Sequence, residues 1–471
     1  MKDLSVDPAS QAVRGTLTET AEISWLISHQ NVAPPTGVKV CVIGGGFVGL
    51  VTATGLAQAG HSVTCVEKDK QKAADLAAGK VAIFEQGLSE LLQANLQRDR
   101  LTFTTDLAGS VSGQDMIVIS VGTPSTDDGQ ADLSAFTEVI RDLARSLRSG
   151  QVVTIKSTVP VCTALFASQL LNEGRNGQGP IPVVSNPEFL REGTAVYDFF
   201  HPRRIVVGGN DPIAVEKVVQ VYRAGLSRPA PIVVTSNETA EMIKYASNVY
   251  LAMRIAYINE LSAVCDALDI EVADVSSAMG LDPRIGPDYL DVGPGFGGSC
   301  LPKDLNAFVA GAQRVGVNLA IAPAVREANE RQLDRVAEKV RAIVGGDLKD
   351  MRIGVLGLSF KAQTQDMRDS PSMAVVLRLL AHGATVQAFD PAAMEEARRL
   401  LPQVRLCATA AEAGAGADAI VILTEWPEFQ LLDWAGIGRL MRSARLVDSR
   451  NLLSPEILRR HGFEYIGMGQ K

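Results

Sequence analysis

The apolar positions of this chain follow two spacings that alternate. From residue 38 onward, short continuous apolar runs are followed by segments of helical length in which apolar residues recur every three or four positions. Continuous runs are typical of strands covered on both faces, and their alternation with amphipathic helices is typical of a parallel sheet. The pattern predicts strands at residues 38–43, 62–67, 115–121, 152–155, 183–184 and 205–207.

The strand signals stop near residue 237. Between residues 237 and 265 an amphipathic stretch runs without Gly or Pro, which predicts one extended helix. The alternation then resumes, with strands predicted at residues 352–356, 385–389, 419–423 and 444–447 and a helix at 371–381. The predicted fold class is therefore α/β, with two doubly wound parallel-sheet domains joined by a long central helix.

The first 36 residues differ from the rest of the chain. They are polar, end in Ala33-Pro-Pro-Thr-Gly37 and precede the first strand signal, so we expect a flexible appendage. Their pattern is compatible with one short helix around residues 18–28.

The composition argues against a nucleic-acid-binding protein and against a membrane protein. The chain has 471 residues, 46% of them apolar, and a formal net charge of −8, so no basic face for nucleic acid is expected. No apolar run reaches the roughly 18 residues of a membrane span, and the N-terminus does not resemble a secretion signal. We expect a cytoplasmic protein without membrane partners.

Six cysteines without CxxC spacing predict reduced thiols, with no disulfide and no structural zinc.

A glycine motif joins the first predicted strand to the following helix. Gly44, Gly46 and Gly49, with Phe47 and Val48 between the last two, form G-x-G-x-x-G. In such a turn the first glycine permits the bend, the second lets the backbone approach a pyrophosphate and the third allows close helix packing. A glycine-rich turn can also be purely structural, but this one lies between a strand and a helix. Its position predicts a Rossmann-like domain that binds a dinucleotide.

Glu67 indicates which dinucleotide to expect. It ends the second predicted strand, where a carboxylate can accept hydrogen bonds from both ribose hydroxyls and would repel a 2′-phosphate. The alternative is a solvated loop charge. We predict NAD rather than NADP as the cofactor.

Cys300 lies in a segment rich in glycine and proline, Gly293-Pro-Gly-Phe-Gly-Gly-Ser-Cys-Leu-Pro-Lys-Asp304. This composition excludes a regular strand and predicts a shaped loop that presents the thiol. A lone cysteine is more often a small buried core residue than a nucleophile. The motifs elsewhere in the chain favour the nucleophile.

The chain resembles the UDP-glucose/GDP-mannose dehydrogenase family, whose signature is similar to residues 297–304. The similarity covers nearly everything from residue 38 to residue 469. It continues in order through Val121-Gly-Thr-Pro124, Lys156-Ser-Thr-Val-Pro160, Asn186-Pro-Glu-Phe-Leu-Arg-Glu-Gly193, Lys244-Tyr-Ala-Ser-Asn248, Phe360-Lys361, Asp366-Met-Arg368, Thr424-Glu-Trp-Pro-Glu-Phe429 and Asp448-Ser-Arg-Asn451.

The resemblance implies NAD-dependent oxidation of a sugar CH2OH group to a carboxylate, which requires two hydride transfers. A free aldehyde gives up its second hydride poorly, so Cys300 is expected to add to it, forming a thiohemiacetal and then a thioester that water cleaves. Arg284-Ile-Gly286 and His201-Pro-Arg-Arg-Ile205 resemble the branch that acts on UDP-glucose and yields UDP-glucuronate. The alternatives are the same chemistry on GDP-mannose, UDP-galactose or a UDP-N-acetyl sugar, a two-electron dehydrogenase without covalent catalysis, and a nucleotide-binding module without chemistry.

The resemblance also implies roles for the side chains around the thiol. Lys244 and Asn248, four residues apart on the predicted helix, would stabilise negative charge on a substrate oxygen. Taken alone, such a pair is more often an ordinary solvated helix face. Thr123, Glu188 and Asp304 would hold or deprotonate the hydrolytic water, while the base for the first proton stays open.

The remaining implied contacts fall into two groups, and no metal site is expected. Arg284 is expected to reach the substrate of a neighbouring subunit, which implies at least a homodimer. The implied cofactor contacts are Gly44, Gly46, Phe47, Val48, Gly49, Glu67, Thr123, Glu192, Lys303 and Arg368. The implied substrate contacts are Glu188, Phe189, Leu190, Lys244, Asn248, Arg284, Phe296, Gly297, Lys361 and Arg450.

These expectations divide the chain into four parts. Residues 1–36 form the extension, and residues 37–235 form the NAD-binding Rossmann-like domain. Residues 236–335 form a central helical dimerisation domain that carries the cysteine loop. Residues 336–471 form a second Rossmann-like domain for the nucleotide sugar.

Overall fold

The computed structural model describes residues 37–173, 175, 179–223, 225 and 229–470, and its chain divides into two compact units between Lys244 and Tyr245. The appendage and the short helix expected around residues 18–28 lie outside the described residues. The division of the chain at residues 235 and 335 stays a prediction.

The described part of the first unit contains an eight-stranded sheet in the order β3-β2-β1-β4-β5-β6-β7-β8. Strands β1 to β6 are parallel, whereas β7 pairs antiparallel with β6 and parallel with β8. The strands are β1 (Lys39–Ile43), β2 (Ser62–Val66), β3 (Leu101–Thr104), β4 (Met116–Ile119), β5 (Val152–Ile155), β6 (Val183–Ser185), β7 (Ile205–Gly209) and β8 (Ile232–Thr235).

Helices cover both faces of this sheet, since β1, β4 and β5 are buried almost throughout and two separate apolar clusters pack against them. The helices are α1 (Phe47–Gln58), α2 (Lys70–Ala77), α3 (Leu88–Gln97), α4 (Leu107–Val111), α5 (Ser134–Ser146), α6 (Thr163–Asn172), α7 (Ala195–Phe200) and α8 (Pro212–Arg223).

The second unit contains a six-stranded sheet, parallel throughout, in the order β11-β10-β9-β12-β13-β14. Its strands are β9 (Arg352–Leu356), β10 (Thr385–Phe389), β11 (Arg405–Leu406), β12 (Ala419–Ile422), β13 (Arg445–Asp448) and β14 (Glu464–Ile466). Its sheet helices are α13 (Pro371–Ala381), α14 (Met394–Leu400), α15 (Ala410–Gly414), α16 (Trp434–Leu440) and α17 (Pro455–Arg460), with a 3-10 turn at Pro427–Leu431.

Four helices precede this second sheet. They are α9 (Asn237–Leu268), α10 (Val272–Gly280), α11 (Leu301–Arg314) and α12 (Ile321–Val344). Helix α9 is the predicted extended helix; it continues three residues past the predicted end and stops where Asp269 takes a left-handed φ of 56°. No described helix is apolar over enough of its length to cross a bilayer.

The predicted α/β class, with two Rossmann-like sheets and a long central helix, is confirmed. In each unit the strand order reverses beside the first strand, β1 or β9, and the crevice at the carboxyl ends of such strands is where open α/β sheets bind ligands. Strands β3, β8, β11 and β14 were not predicted from the sequence. All four are edge strands of two to four residues, where the apolar signal is shortest.

Candidate active site

The glycine turn after β1 has the geometry of a pyrophosphate cradle. Gly44 has a φ of 103°, and a Cβ there would lie 2.6 Å from the Ser120 carbonyl oxygen; a Cβ on Gly49 would lie 1.8 Å from the Gly44 oxygen. A Cβ on Gly46 would meet nothing within 4 Å, so the space in front of α1 is open. Helix α1 begins at Phe47 with neither a side-chain cap nor an acidic residue in its first turn, so its N-terminal N–H groups are available to an anion.

Glu67 follows β2 directly and is buried. Its carboxylate accepts the Asp69 N–H at 3.1 Å and lies 3.0 Å from the Lys72 ammonium. Burial would raise the pKa of Glu67, but the Asp69 N–H, the Lys72 ammonium and the Gly45 N–H hold it below its ordinary value. The group is thus ionised at neutral pH, as a ribose acceptor must be, and its burial argues against a solvated loop charge.

Glu188 and Lys244 form a buried ion pair in the first unit. The ammonium of Lys244 lies 3.0 Å from Glu188 Oε1, and both side chains are 5% exposed. The Leu190 N–H donates to Glu188 Oε2. Burial would raise the pKa of Glu188, but the Lys244 ammonium, the Leu190 N–H and the Lys156 ammonium hold it below its ordinary value. A carboxylate and an ammonium are therefore both charged in a site that is shielded from water.

The segment that follows Glu188 contains three further predicted contacts. The Phe189 ring contacts two cations: the Arg204 guanidinium carbon is 3.7 Å and the Lys244 ammonium 5.3 Å from its centroid. Leu190 and Glu192 are half-buried on the same segment between β6 and α7. The segment thus carries an aromatic face, a carboxylate and a bound ammonium.

Thr123 and Thr158 are joined by a hydrogen bond of 2.7 Å from the Thr123 hydroxyl to the Thr158 carbonyl oxygen. Thr158 borders a small cavity beside the lysine, lined by Ile155, Ser157, Thr158, Val159, Ser185, Pro187, Glu241 and Lys244. The Thr123 hydroxyl donates its proton to the backbone and so braces the loop that carries Thr158. A role of Thr123 in holding water stays a prediction.

In the second unit, Cys300 is the residue from which α11 begins. Its carbonyl oxygen accepts the Asp304 N–H at 2.9 Å, so one helical turn separates the two residues. The half-buried thiol thus lies at the N-terminus of a 14-residue helix, where the unpaired N–H groups favour negative charge. A thiolate is the form in which cysteine attacks carbonyl groups.

Asp304 lies one turn after the thiol and is fully buried. Asn248 Nδ2 donates to Asp304 Oδ2 at 2.6 Å, and the Lys303 ammonium lies 2.5 Å from Oδ1. Asn248 is buried on α9, so the pair ties the central helix to the helix of Cys300. The Asp304 carboxylate is therefore fixed in place, with an amide donating a hydrogen bond to one oxygen and an ammonium lying beside the other.

The glycine-rich loop before Cys300 approaches backbone too closely to accept larger residues. A Cβ on Gly297 would lie 2.2 Å from the Asp369 carbonyl oxygen, and one on Gly293 would lie 2.7 Å from a guanidinium nitrogen of Arg450. Phe296 is buried between these glycines. Arg450 is itself held by Glu425, at 3.0 Å from its Nε. The loop and Arg450 are therefore neighbours, and their contact with a substrate stays a prediction.

The other predicted contacts of the second unit lie toward its surface. Lys361 is half-buried after β9. Arg368 is exposed and pairs with Asp366 at 2.5 Å, while Arg284 is 87% exposed and pairs with Asp282 at 2.6 Å. Arg284 thus contacts its own loop, and its reach into a neighbouring subunit stays a prediction.

Three sequence profiles of one family match the chain in order. Residues 38–225 match the NAD binding domain of the UDP-glucose/GDP-mannose dehydrogenase family, residues 238–331 its central domain and residues 354–455 its UDP binding domain. The chain belongs to the UDP-glucose/GDP-mannose dehydrogenase family. The predicted family is thereby confirmed.

Similar proteins of the family include enzymes from bacteria and archaea. The UDP-glucose 6-dehydrogenase of Rhizobium meliloti (strain 1021) is 43% identical over 436 residues, which span 92% of this chain and 100% of that protein. The UDP-glucose dehydrogenase structure from Pyrobaculum islandicum superposes with a TM-score of 0.86 at 36% identity, covering 94% of this chain and 100% of that one. The UDP-D-ManNAc dehydrogenase structure from Pyrococcus horikoshii has a TM-score of 0.81 at 26% identity, with coverages of 92% and 99%.

Within the family, the chain is an NAD-dependent nucleotide-sugar dehydrogenase. The open turn at Gly46, the uncapped N-terminus of α1 and the ionised Glu67 fit NAD. The bound cofactor supplies the hydride acceptor for each oxidation step.

Three polar residues that hold the cysteine loop were missed by sequence reasoning. Asn329 accepts the Phe296 N–H at 2.8 Å and donates to the Phe296 carbonyl at 3.0 Å. Asn259 accepts the Gly293 N–H at 2.9 Å, and Gln332 donates to the Gly293 carbonyl at 2.7 Å. All three are buried on α9 or α12. An amide at an inward-facing position of a helix was the available signal, since buried amides require partners.

Replacing Asn329 with alanine is expected to lower kcat by roughly tenfold and to destabilise the fold by about 2 kcal/mol, because two backbone groups of the loop lose their partner. Steady-state NADH formation and urea denaturation measure the two effects. Gln313→Ala, which removes an exposed amide from α11, is the matched control. Equal kcat values for the two variants would contradict a positioning role for Asn329.

Glu241 caps helix α6 from a distance, which the sequence did not indicate. Cys162, the residue before the helix, has a left-handed φ of 75° and offers no side-chain cap. Instead the Glu241 carboxylate accepts the N–H groups of Cys162 at 2.7 Å and Ala164 at 2.8 Å. Burial raises the pKa of Glu241 to about 7, although these N–H groups and the Ser185 hydroxyl oppose the shift.

When a carboxyl group binds its proton more tightly in the folded chain than in the unfolded chain, the folded protein becomes less stable as the pH rises and the proton is lost. The free energy of unfolding is therefore expected to fall between pH 4.5, the ordinary pKa, and about 7, by up to about 3 kcal/mol from this group. Urea denaturation of the wild type and of Glu241→Gln across this range isolates the contribution, because other groups titrate in both. Exposed Glu216→Gln is the control, and equal pH slopes in wild type and Glu241→Gln would refute the assignment.

Proposed function

We propose that the protein oxidises UDP-glucose to UDP-glucuronate, with two NAD reduced per sugar, and that Cys300 is the covalent nucleophile. The observation that carries the mechanism is the place of Cys300 at the N-terminus of α11, one turn from an Asp304 that Asn248 and Lys303 hold. Such a thiol suits attack on an aldehyde.

The chemistry requires one alcohol oxidation followed by one aldehyde oxidation. After the first hydride and a proton leave the CH2OH group, the Cys300 sulfur bonds to the aldehyde carbon and the carbonyl oxygen becomes an oxyanion. When the second hydride leaves, the C–O bond becomes double again and a thioester remains. Water then adds to the thioester, the C–S bond breaks and the thiolate is regenerated beside the carboxylate product.

Lys244 and Asn248 are proposed to stabilise the oxyanions of these steps. A buried ammonium and a fixed amide cost little reorganisation when charge develops, and one helix, α9, carries both side chains. In this proposal Thr123, Glu188 and Asp304 hold or deprotonate the hydrolytic water. Glu188 is suited to a base because it is ionised and shielded from solvent.

The binding groups are assigned on the same basis. Gly44, Gly46, Phe47, Val48, Gly49, Glu67, Thr123, Glu192, Lys303 and Arg368 are proposed to contact NAD. Glu188, Phe189, Leu190, Lys244, Asn248, Arg284, Phe296, Gly297, Lys361 and Arg450 are proposed to contact the nucleotide sugar. The match of residues 354–455 to a UDP binding domain supports a uridine nucleotide.

UDP-glucose is favoured over other nucleotide sugars by the comparison itself. Identity reaches 43% with a UDP-glucose 6-dehydrogenase, against 26% with a UDP-D-ManNAc dehydrogenase of similar coverage. NADH formation should be measured with UDP-glucose, UDP-galactose, UDP-N-acetyl sugars and GDP-mannose. The highest kcat/KM is expected with UDP-glucose, and no turnover of it would exclude the assignment.

A homodimer through α9 is also proposed. In the single chain an apolar stripe on this helix is exposed at seven-residue spacing: Tyr250 and Tyr257 are each 52% exposed, and Val264 is 52% exposed. Leu268 extends the stripe at 63% exposure. Apolar residues repeating every seven positions are the pattern by which two copies of a helix pack on each other.

Light scattering coupled to size exclusion tests this interface. A mass of at least two chains is expected for the wild type, and Tyr257→Glu is expected to shift it toward one chain. The exposed Gln313→Glu serves as control, since it adds the same charge away from the stripe. A wild-type protein that elutes as a single chain would rule out the dimer and the contact of Arg284 with a neighbouring subunit's substrate.

The cytoplasmic location stays a prediction.

A further inference from the structure

Lys156 is a buried cation with no part in the chemistry proposed above. It follows β5 directly and is 6% exposed. Among the described residues no carboxylate oxygen lies within 4 Å of its ammonium. Burying an ammonium without a direct counter-ion is costly, so its position calls for a function.

Two neutral partners hold the Lys156 ammonium in one place. It donates to the Tyr222 hydroxyl at 2.8 Å and to Asn186 Oδ1 at 3.1 Å, and the Tyr222 hydroxyl donates to the same Oδ1 at 2.6 Å. The Tyr222 ring centroid lies 5.1 Å from the ammonium, a cation–π distance. Both partners are buried, so the charge is fixed and remains uncompensated by them.

Asn186 connects this cation to the catalytic segment. Its amide nitrogen donates to the Val206 carbonyl at 2.7 Å and its backbone N–H donates to the Ile155 carbonyl at 2.8 Å. Asn186 directly precedes Pro187 and Glu188. The Lys156 network therefore anchors the start of the turn that presents Glu188 to Lys244.

The three charged side chains have an uneven balance. Glu188 carries one negative charge, while Lys244 and Lys156 each carry one positive charge, so these three side chains sum to +1. Glu241, which lines the cavity beside Lys244, has a pKa of about 7 and lowers this balance as it ionises. An oxyanion in contact with Lys244 brings that sum to zero. Without Lys156 the ion pair alone sums to zero, and the same oxyanion would leave the site with one uncompensated negative charge.

We propose that Lys156 is a positioning residue that supplies this second positive charge, so that Lys244 can stabilise the substrate oxyanion while Glu188 stays ionised. The proposal rests on the proposed roles of Glu188 and Lys244. Lys156 itself touches neither substrate nor cofactor in this scheme. It acts through the turn at Asn186 and through its field on Glu188, whose pKa it helps to lower.

The test is the pH dependence of kcat for NADH formation at saturating UDP-glucose and NAD, in wild type and Lys156→Met. The acid limb, where Glu188 loses its proton, is expected to move upward by about one pH unit and kcat at neutral pH to fall roughly tenfold. The KM values for both substrates are expected to change less than about threefold, because Lys156 does not contact them.

Two control variants separate charge from packing. Lys156→Arg retains the charge and is expected to restore the acid limb. Tyr222→Phe removes one hydroxyl but leaves the ammonium, so its acid limb is expected to match the wild type while its melting temperature falls. A folded Lys156→Met with a wild-type acid limb would overturn the proposal, whereas a wild type inactive on UDP-glucose would overturn the proposed function instead.

A second variant serves if Lys156→Met does not fold. Asn186→Asp keeps an oxygen acceptor for Lys156 and Tyr222 but adds a negative charge that cancels the cation's field. The same upward movement of the acid limb is expected. An unmoved limb in folded Asn186→Asp would count against Lys156 as decisively as the methionine result.

Discussion

Cys300→Ala is expected to form no UDP-glucuronate and to lower the rate of net NADH formation by at least ~10³-fold. Without the thiol no thiohemiacetal forms, and the trigonal aldehyde carbon has no donating oxyanion to expel the second hydride. Oxidation can then proceed no further than the aldehyde. Cys300→Ser is expected to be similarly inactive in acid formation, because a hydroxyl is a weaker nucleophile and a poorer leaving group than a thiol.

The measurement is the ratio of NADH formed to UDP-glucose consumed, together with product analysis by mass spectrometry. The wild type is expected to give a ratio of two, and Cys300→Ala at most one. Cys162→Gly is the matched control, since it removes an exposed cysteine at a left-handed position that glycine tolerates. Full acid formation by Cys300→Ala would refute covalent catalysis and leave a two-electron dehydrogenase or a different nucleophile.

The fold was predictable from the sequence where its signals were local and repeated. The strands at residues 352–356 and 385–389 and the helix at 371–381 were predicted with the bounds they have in the structure, because apolar runs there end at Gly, Pro or charged residues. The direction of β7 was not predictable. The direction of a strand depends on the strands with which it pairs. A four-residue apolar run such as β8 does not indicate which strand lies beside it.

The candidate site was predictable only where a motif carried it. Lys244 and Asn248 were identified by resemblance, and their spacing gave a shared helix. Asn329 was not identified, and Lys156 was named within a motif but given no role, because their partners, Phe296 and Asn186, are 33 and 30 residues away in the chain. A contact over such a distance follows from the packing of whole elements, which no local pattern encodes. Glu241, which caps a helix 77 residues distant, is the extreme case.

Lys244→Met is expected to lower kcat by about 10²–10³-fold and to destabilise the protein by about 3–5 kcal/mol. Two separate causes act. The substrate oxyanion loses its cation, and Glu188, 5% exposed, is left as a buried charge whose closest counter-ion has gone. Lys217→Met, which removes an exposed lysine from α8 in the same unit, is the control for loss of a positive charge.

The two causes are separable by pH and by a second substitution. In the wild type the depressed pKa of Glu188 contributes stability above its ordinary pKa of 4.5, and this contribution is lost as the pH falls through the folded-state pKa. In Lys244→Met the buried carboxylate takes up a proton more readily, so the difference in unfolding free energy from the wild type is expected to shrink as the pH is lowered toward 4.

Lys244→Met/Glu188→Gln is expected to regain most of the stability at neutral pH and none of the activity, because it removes the unpaired charge without restoring the cation. A double variant as unstable as Lys244→Met would show that packing of the lysine stem, rather than the ion pair, accounts for the loss.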